Sequence, residues 1–276
     1  TAKFGRQRVI LDNARFVGNV GWRQNEQTHD ALTIVNQSIE NLTVVYGHVT
    51  SVRGITFGSA DVTANLLNIG LDKAGPGKLT AYAYLIESDS NAVDDELNTY
   101  GIRYAGKVDT GDLGVLFAAE FAAQDVDDGL NTVASKADAD YTLLETGLKF
   151  KNGLVAKVGV ETLGSDNGAY GFSTPLATKH AFNGWADKFL GTPANGLVDT
   201  YLNVGGKVAG IKLAAVYHEF SADQGSNDFG SEIDLLAVKK FNKHYTAGLK
   251  FADFSEDNTT KLGDTQKIWL WGQAKF

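Results

Sequence analysis

The chain has 276 residues, a formal charge of −8, and neither cysteine nor methionine. Those absences exclude thiol chemistry, disulfide frameworks and cysteine-ligated metals, and the acidic balance without any basic run argues against a nucleic-acid partner. Hydrophobic residues make up 43%, yet no apolar run approaches the roughly 20 residues of a membrane-spanning helix. The sequence opens on Thr1 and enters strand-like sequence at once, so removal of a leader or a longer N-terminal segment is expected.

Apolar and polar residues alternate over about ten positions, again and again, with turn residues between. In chain order this predicts strands at 3–11, 29–38, 41–51, 62–72, 78–87, 97–108, 113–124, 138–151, 154–163, 197–208, 211–220, 231–241, 245–254 and 265–276. Connections alternate short and long. Lys151-Asn152-Gly153, Ala209-Gly210 and Asn242-Lys243-His244 are tight links suited to hairpins, whereas 12–28, 125–137 and 164–196 are long. Tight turns at one rim and long loops at the other, with strands longer than the five or six residues usual in soluble sheets, predict an all-β fold: a transmembrane antiparallel up-and-down β-barrel in one domain, 1–276. With 31 glycines and 3 prolines, the composition suits many turns and few broken strands.

Side-chain parity agrees. In 113–124, Leu113, Val115, Phe117, Ala119, Phe121 and Ala123 share one face, opposite Gly114, Glu120 and Gln124. A soluble sandwich alternates in the same way with its oily face turned inward, which leaves a soluble carbohydrate-binding β-protein as the alternative. Strand length and loop alternation favour the membrane, and so does the ending Lys267-Ile268-Trp269-Leu270-Trp271-Gly272-Gln273-Ala274-Lys275-Phe276, which resembles the C-terminal assembly signal of outer-membrane proteins.

Two stretches carry a family resemblance. Lys3-Phe4-Gly5-Arg6-Gln7-Arg8 with Asp12-Asn13, Arg15-Phe16-Val17-Gly18 and Gly21-Trp22-Arg23-Gln24-Asn25-Glu26-Gln27, and Thr174-Pro175-Leu176-Ala177-Thr178 with His180-Ala181-Phe182-Asn183-Gly184-Trp185, resemble the alginate-export family of outer-membrane porins. The resemblance implies a monomeric eighteen-stranded barrel in a Gram-negative outer membrane, in contact with lipid and lipopolysaccharide and selective for anionic polysaccharide. It also implies that four strands precede those visible here. A closed fourteen-stranded barrel is the other possibility, with 3–11 beside 265–276.

Parity assigns Arg6, Arg8, Arg103, Lys107, Lys149, Lys157, Lys207, Lys212, Lys240, Lys250 and Lys267 to the lumen with fewer acids, Glu120, Glu145, Glu161, Glu232 and Asp234. A basic wall under acidic loops is expected to favour anionic or neutral sugars; the bland reading is a wide, unselective lumen with solvated charges. By resemblance, Arg15 and Arg23 join Arg6 and Arg8 at the narrowest point. Phe182, Trp185 and Phe189 fall at helical spacing, which predicts a short amphipathic helix near 180–190 that folds into the mouth or caps its rim. Tyr82, Tyr84, Tyr100 and Tyr104 are expected in an interfacial girdle, and so are Trp269 and Trp271 if parity slips at Gly272.

Enzymatic signals are weak. The five histidines show no ligand spacing on one strand face, His218 near Ser221 and Asp223 lacks a nucleophile elbow, and Asp125-Val126-Asp127-Asp128-Gly129 lacks the rest of a calcium loop. No enzyme, cofactor or metal is therefore expected, although a barrel serving as adhesin or enzyme stays open.

Overall fold

In the computed structural model, residues 1–89, 94–127, 136–257 and 261–276 are described. Fourteen antiparallel strands form one sheet in which each strand bonds to its neighbours in sequence. The first nine are β1 (Ala2–Gln7), β2 (Thr28–Asn36), β3 (Leu42–Arg53), β4 (Ser59–Ala74), β5 (Gly77–Asp89), β6 (Asp94–Thr110), β7 (Leu113–Asp127), β8 (Lys136–Phe150) and β9 (Val155–Leu163). A two-stranded hairpin, β10 (Ser165–Asp166) with β11 (Tyr170–Gly171), decorates the following loop. The meander resumes with β12 (Leu197–Val208), β13 (Ile211–Ser221), β14 (Asp228–Lys240), β15 (Tyr245–Glu256) and β16 (Thr265–Ala274). Among the described residues no pairing joins β1 to β16, so the fourteen strands do not close on each other.

The tight turns follow local chemistry. Ala209 and Gly210, between β12 and β13, both hold positive φ, +48° and +80°, as a two-residue hairpin turn that follows the strand twist requires. Lengthening falls mainly at the long-loop ends: β6, β7 and β8 run 17, 15 and 15 residues. β1 departs in the other direction. It stops at Gln7, because Val9 and Leu11 are buried inside rather than continuing an outer stripe.

The apolar stripe faces out. Leu144, Ile268 and Leu270 are 67, 70 and 82% exposed, and Val158, Val160, Leu202, Ile233, Leu235 and Leu249 lie on the same surface. The opposite face carries Glu120, Gln124, Glu161, Asp199, His218, Glu232 and Asp234, all buried. The sheet curls around two long loops, 8–27 and 164–196, whose side chains fill its concave face. Phe16 from the first packs on Tyr82, Tyr84, Tyr141 and Phe172. Phe189 from the second packs on Phe220, Phe229 and Phe254. The buried core is therefore the contact between loops and inner wall, which reverses the arrangement of a soluble sandwich.

Tyr82 and Tyr84 are corrections to the expected girdle. Both point inward and stack on each other at 4.8 Å, because the bulk of Phe16 demands a filled wall opposite. Tyr100 and Tyr104 take the outward parity, with Tyr100 exposed. Trp269 and Trp271 also face inward: Trp269 pairs in register with the buried Lys250, and Trp271 covers Gly248. Parity does not slip at Gly272.

Candidate functional site

The two inward loops are bonded to each other and to the wall. Gly18 N donates to Leu176 O, Thr178 N to Ala14 O, and Val20 N to the Thr178 hydroxyl at 2.8, 3.0 and 3.0 Å. Gly18 allows this approach, since a Cβ there would lie 2.2 Å from the Thr178 hydroxyl oxygen. The first loop reaches β4 and β5 through Asp12, which accepts from Asn68 at 2.6 Å and from Thr80 at 3.4 Å. The second is tied to β7 through Gln124, whose amide donates to Ser173 O and accepts from Tyr170 and Ser173 N. Burial pushes the Tyr170 hydroxyl up to about 12, so this tie stays protonated over the physiological range.

Arg15 is the centre of the assembly. It is 2% exposed and sends a fork to Glu161 on β9, Nε to Oε1 at 2.6 Å and Nη2 to Oε2 at 3.3 Å. Its other donors reach Asn183 and Thr174, and Phe182 lies against its cationic face at 4.9 Å. Burial, the largest single influence, works against the guanidinium charge, but Glu161 and Tyr141 together outweigh it and the Arg15 pKa is raised. Tyr141 donates to the same carboxylate at 2.6 Å. Asn183 then links Glu161 to Asp199, donating at 2.6 and 3.1 Å, and Asp199 meets His218 at 2.8 Å.

The second loop ends its descent on β14. Trp185 N donates to Asp234 and Ala186 N to Glu232, at 3.1 and 2.6 Å. Gly184, at φ +83°, makes the turn. Beyond it, His180 lies flat on Trp22 at 4.0 Å, with Nδ1 2.5 Å from Asp187 and Nε2 3.0 Å from the Lys250 ammonium. Lys250 Nζ sits among Trp185, Trp22 and Trp269 at 4.4, 4.6 and 5.7 Å from their ring centroids. Asp187 also accepts from Lys267 at 3.2 Å. Burial lowers the His180 pKa, with Lys250 and Arg23 adding to it and Asp187 opposing. For Asp187 burial works upward, but His180 and Lys267 prevail and hold its carboxyl below the ordinary value.

Beside Arg15 and Lys250, other sequence-derived cations separate into four settings. Arg103 with Glu120 at 2.5 Å, Lys157 with Glu145 at 2.9 Å and Lys267 with Asp187 are inward and paired. Lys149, Lys207 and Lys212 are inward by register and exposed near the short-turn rim, Lys207 and Lys212 being cross-strand partners. Arg8 pairs with Glu26 and Arg23 stacks on Trp22, both on the first loop. Arg6 is a correction: it points outward and forks onto Asp30 with two bonds of 2.9 Å. The segment is polar on both faces, Lys3 and Gln7 against Arg6 and Arg8, so alternation there could not choose a side. The expected basic wall is narrower than parity suggested, since Arg15, Arg103, Lys157 and Lys267 each face a carboxylate and buried Asp199 adds to the inward acids.

A cavity of about 300 Å³ lies below the loops, lined in part by Arg103, Glu145, Lys157, Asp199, Tyr201 and His218. The predicted helix at 180–190 reduces to one 3₁₀ turn, Lys179–Ala181. Phe182, Trp185 and Phe189 instead point to separate partners along an irregular path, Arg15, Lys250 and the Phe220 cluster, because backbone groups of Trp185 and Ala186 are spent on β14. Asp199, Asn183, His180 and Asp187 have no role assigned from sequence, although His180 and Asn183 stand in the loop stretch that carries the resemblance and Asp199 shares parity with Tyr201 and Lys207. No cluster of three or more metal-ligating side chains occurs among the described residues, and Asp128 and Gly129 of the calcium-like stretch lie outside them.

No protein-family model and no curated protein sequence matches the chain. Solved structures do. The crystal structure of Pseudomonas aeruginosa OccD3 (OpdP) superposes with a TM-score of 0.72 at 14% identity, over 100% of this chain and 74% of that one. Acinetobacter baumannii OccAB4 gives 0.72 at 13%, over 99 and 71%, and Pseudomonas aeruginosa OccK5 (OpdH) gives 0.67 at 13%, over 100 and 78%. At such identities the likeness is one of fold: the chain shares the all-β barrel fold of these Occ structures, and the resemblance to the alginate-export family drawn from the opening segments finds no match among them.

Proposed function

We propose that this chain forms the wall and constriction of a Gram-negative outer-membrane channel through which small polar solutes diffuse passively. The observation that carries the reading is the inversion of the sheet: large aliphatic side chains stand exposed outside while ion pairs, carboxylates and a cavity occupy the inside. Hydrocarbon tolerates the first and a wet lumen the second. A soluble carbohydrate-binding protein would leave its oily stripe in water, so that alternative loses its support.

The two loops set the narrow zone. Within it Arg15, Arg103 and Lys157 are each balanced by an adjacent carboxylate, so the focused positive field needed to concentrate a polyanion is weak. A neutral or zwitterionic small solute, a sugar among them, suits this zone better than an anionic polymer. Exposed Lys149, Lys207 and Lys212 give the short-turn rim its basic character. Contact with lipid and lipopolysaccharide outside, and a single-chain state, belong to the same reading. Liposome swelling with solutes of graded size and charge tests it: small neutral sugars and zwitterions are expected to enter, and failure of every small solute to enter liposomes containing the folded, heat-modifiable protein would overturn it.

A further inference from the structure

The Lys250 box contains a hydrogen-bond relay whose polarity has one solution. A lysine ammonium has donors only. Standing 3.0 Å from His180 Nε2, it requires that nitrogen to accept, which leaves the imidazole proton on Nδ1, donated to Asp187 at 2.5 Å. The order is Lys250 to His180 to Asp187, and Lys267 donates to the far oxygen of Asp187. The relay crosses between elements: His180 and Asp187 belong to the second inward loop, Lys250 to β15 and Lys267 to β16, and the ring stacked on His180 is Trp22 of the first loop.

We propose that this relay is a proton-operated latch holding the two inward loops against β15 and β16. One proton taken from solvent at His180 Nε2 converts the acceptor into a donor. Lys250 Nζ and Nε2–H then face each other as two donors and two cations at hydrogen-bond distance, inside walls of indole that offer neither an acceptor. Either the lysine leaves the box or the His180 segment lifts from Trp22, and the loop contact loosens in both cases. The Asp187 bond survives protonation, since Nδ1 donates in both states, so the change is directed at the β15 side.

The surrounding charges fit this direction. Facing His180 are Asp187 from its own loop, Arg23 from the first loop, Lys250 from β15 and, through Asp187, Lys267 from β16; Asp234 on β14 acts on Lys250. Burial and the cations keep His180 neutral near neutrality, so the latch is closed there and opens on acidification.

The latch rests on the channel reading only for its consequence, and the test separates the two. Tryptophan emission and single-channel conductance are followed from pH 7 downward for the wild type, His180→Gln and Lys250→Met in detergent micelles and planar bilayers. Glutamine keeps one acceptor and one donor but does not titrate; methionine removes the opposing cation. The wild type is expected to show one emission transition with a midpoint below 6.5, with a parallel change in conductance. His180→Gln should lack both, and in Lys250→Met the emission midpoint should rise by roughly one pH unit, as removal of an adjacent cation does. An emission profile that His180→Gln leaves unchanged, or a midpoint indifferent to Lys250→Met, overturns the latch. Absence of conductance with the emission transition intact overturns the channel reading alone.

Discussion

Arg15 and Glu161 stand 146 positions apart in the chain, yet their side chains close a two-bond fork of 2.6 and 3.3 Å, buried against the concave face of the sheet. One belongs to a loop and the other to the wall, so the pair fixes how far the first loop descends. Replacing Arg15 with Ala leaves the Glu161 carboxylate buried without its cation, a change that costs about 3–5 kcal/mol in comparable settings. The expected outcome is a looser first loop, seen as faster amide exchange over 8–27 and a higher single-channel conductance with the barrel intact. Arg15→Lys should rescue only part of it, because an ammonium cannot supply the fork.

Gly184 is the second structural pivot. Its φ is +83°, and a Cβ there would sit 2.4 Å from a Glu232 carboxylate oxygen. Gly184→Ala therefore meets both backbone strain, about 1–3 kcal/mol, and a direct clash. Protease cleavage within 164–196 is expected to rise in the variant while strand content by circular dichroism stays unchanged.

Phe189 anchors the loop end in the cluster of Phe220, Phe229 and Phe254. Truncation to Ala removes the centre of that cluster and should cost about 3–5 kcal/mol of local stability. Phe182→Ala removes only the stacking on Arg15 and should cost less. Hydrogen exchange over 182–192 distinguishes the two.

The descent of the loops is also pH-dependent through Asp187 and His180. Asp187 has a lowered pKa in the folded chain, so its contribution is present above the ordinary 3.8 and is lost as pH falls through the folded value. His180 is lowered as well: the folded state disfavours its protonated form, so stability declines as pH falls below 6.5 and levels off beneath the folded pKa. Both signs agree that loop docking weakens in acid; amide exchange over 179–190 at pH 7.5 and pH 5 would record the His180 part as lost protection, and the Asp187 part follows only below 3.8.

Much of this architecture was legible in the sequence because a strand with unlike environments on its two faces must alternate. Fourteen strands, their order and most of their facing follow from that single period. Where both faces read alike the period is silent, and Arg6 could be placed on either side; Tyr82 and Tyr84 share a face with Lys78 and Thr80, and only their aromatic character pointed to the girdle. The constriction was harder still. Arg15 and Glu161, His180 and Lys250, and Trp185 and Asp234 are brought together by loops that bend through the lumen, and no local pattern records a meeting of residues so far apart. The spacing of Phe182, Trp185 and Phe189 resembled a helix only because three independent anchors fell by chance at helical intervals.

The central claim is that neighbouring residues of one strand touch hydrocarbon and wet lumen in turn. The chain has no cysteine, so single cysteines can be placed at Asn203, which lines the cavity, and at Leu202, which is exposed on the outer surface. A charged, water-soluble thiol reagent added to open channels in a planar bilayer should lower the current through Asn203→Cys and leave Leu202→Cys unaffected. Equal modification of both, or modification of Leu202→Cys alone, would contradict the account.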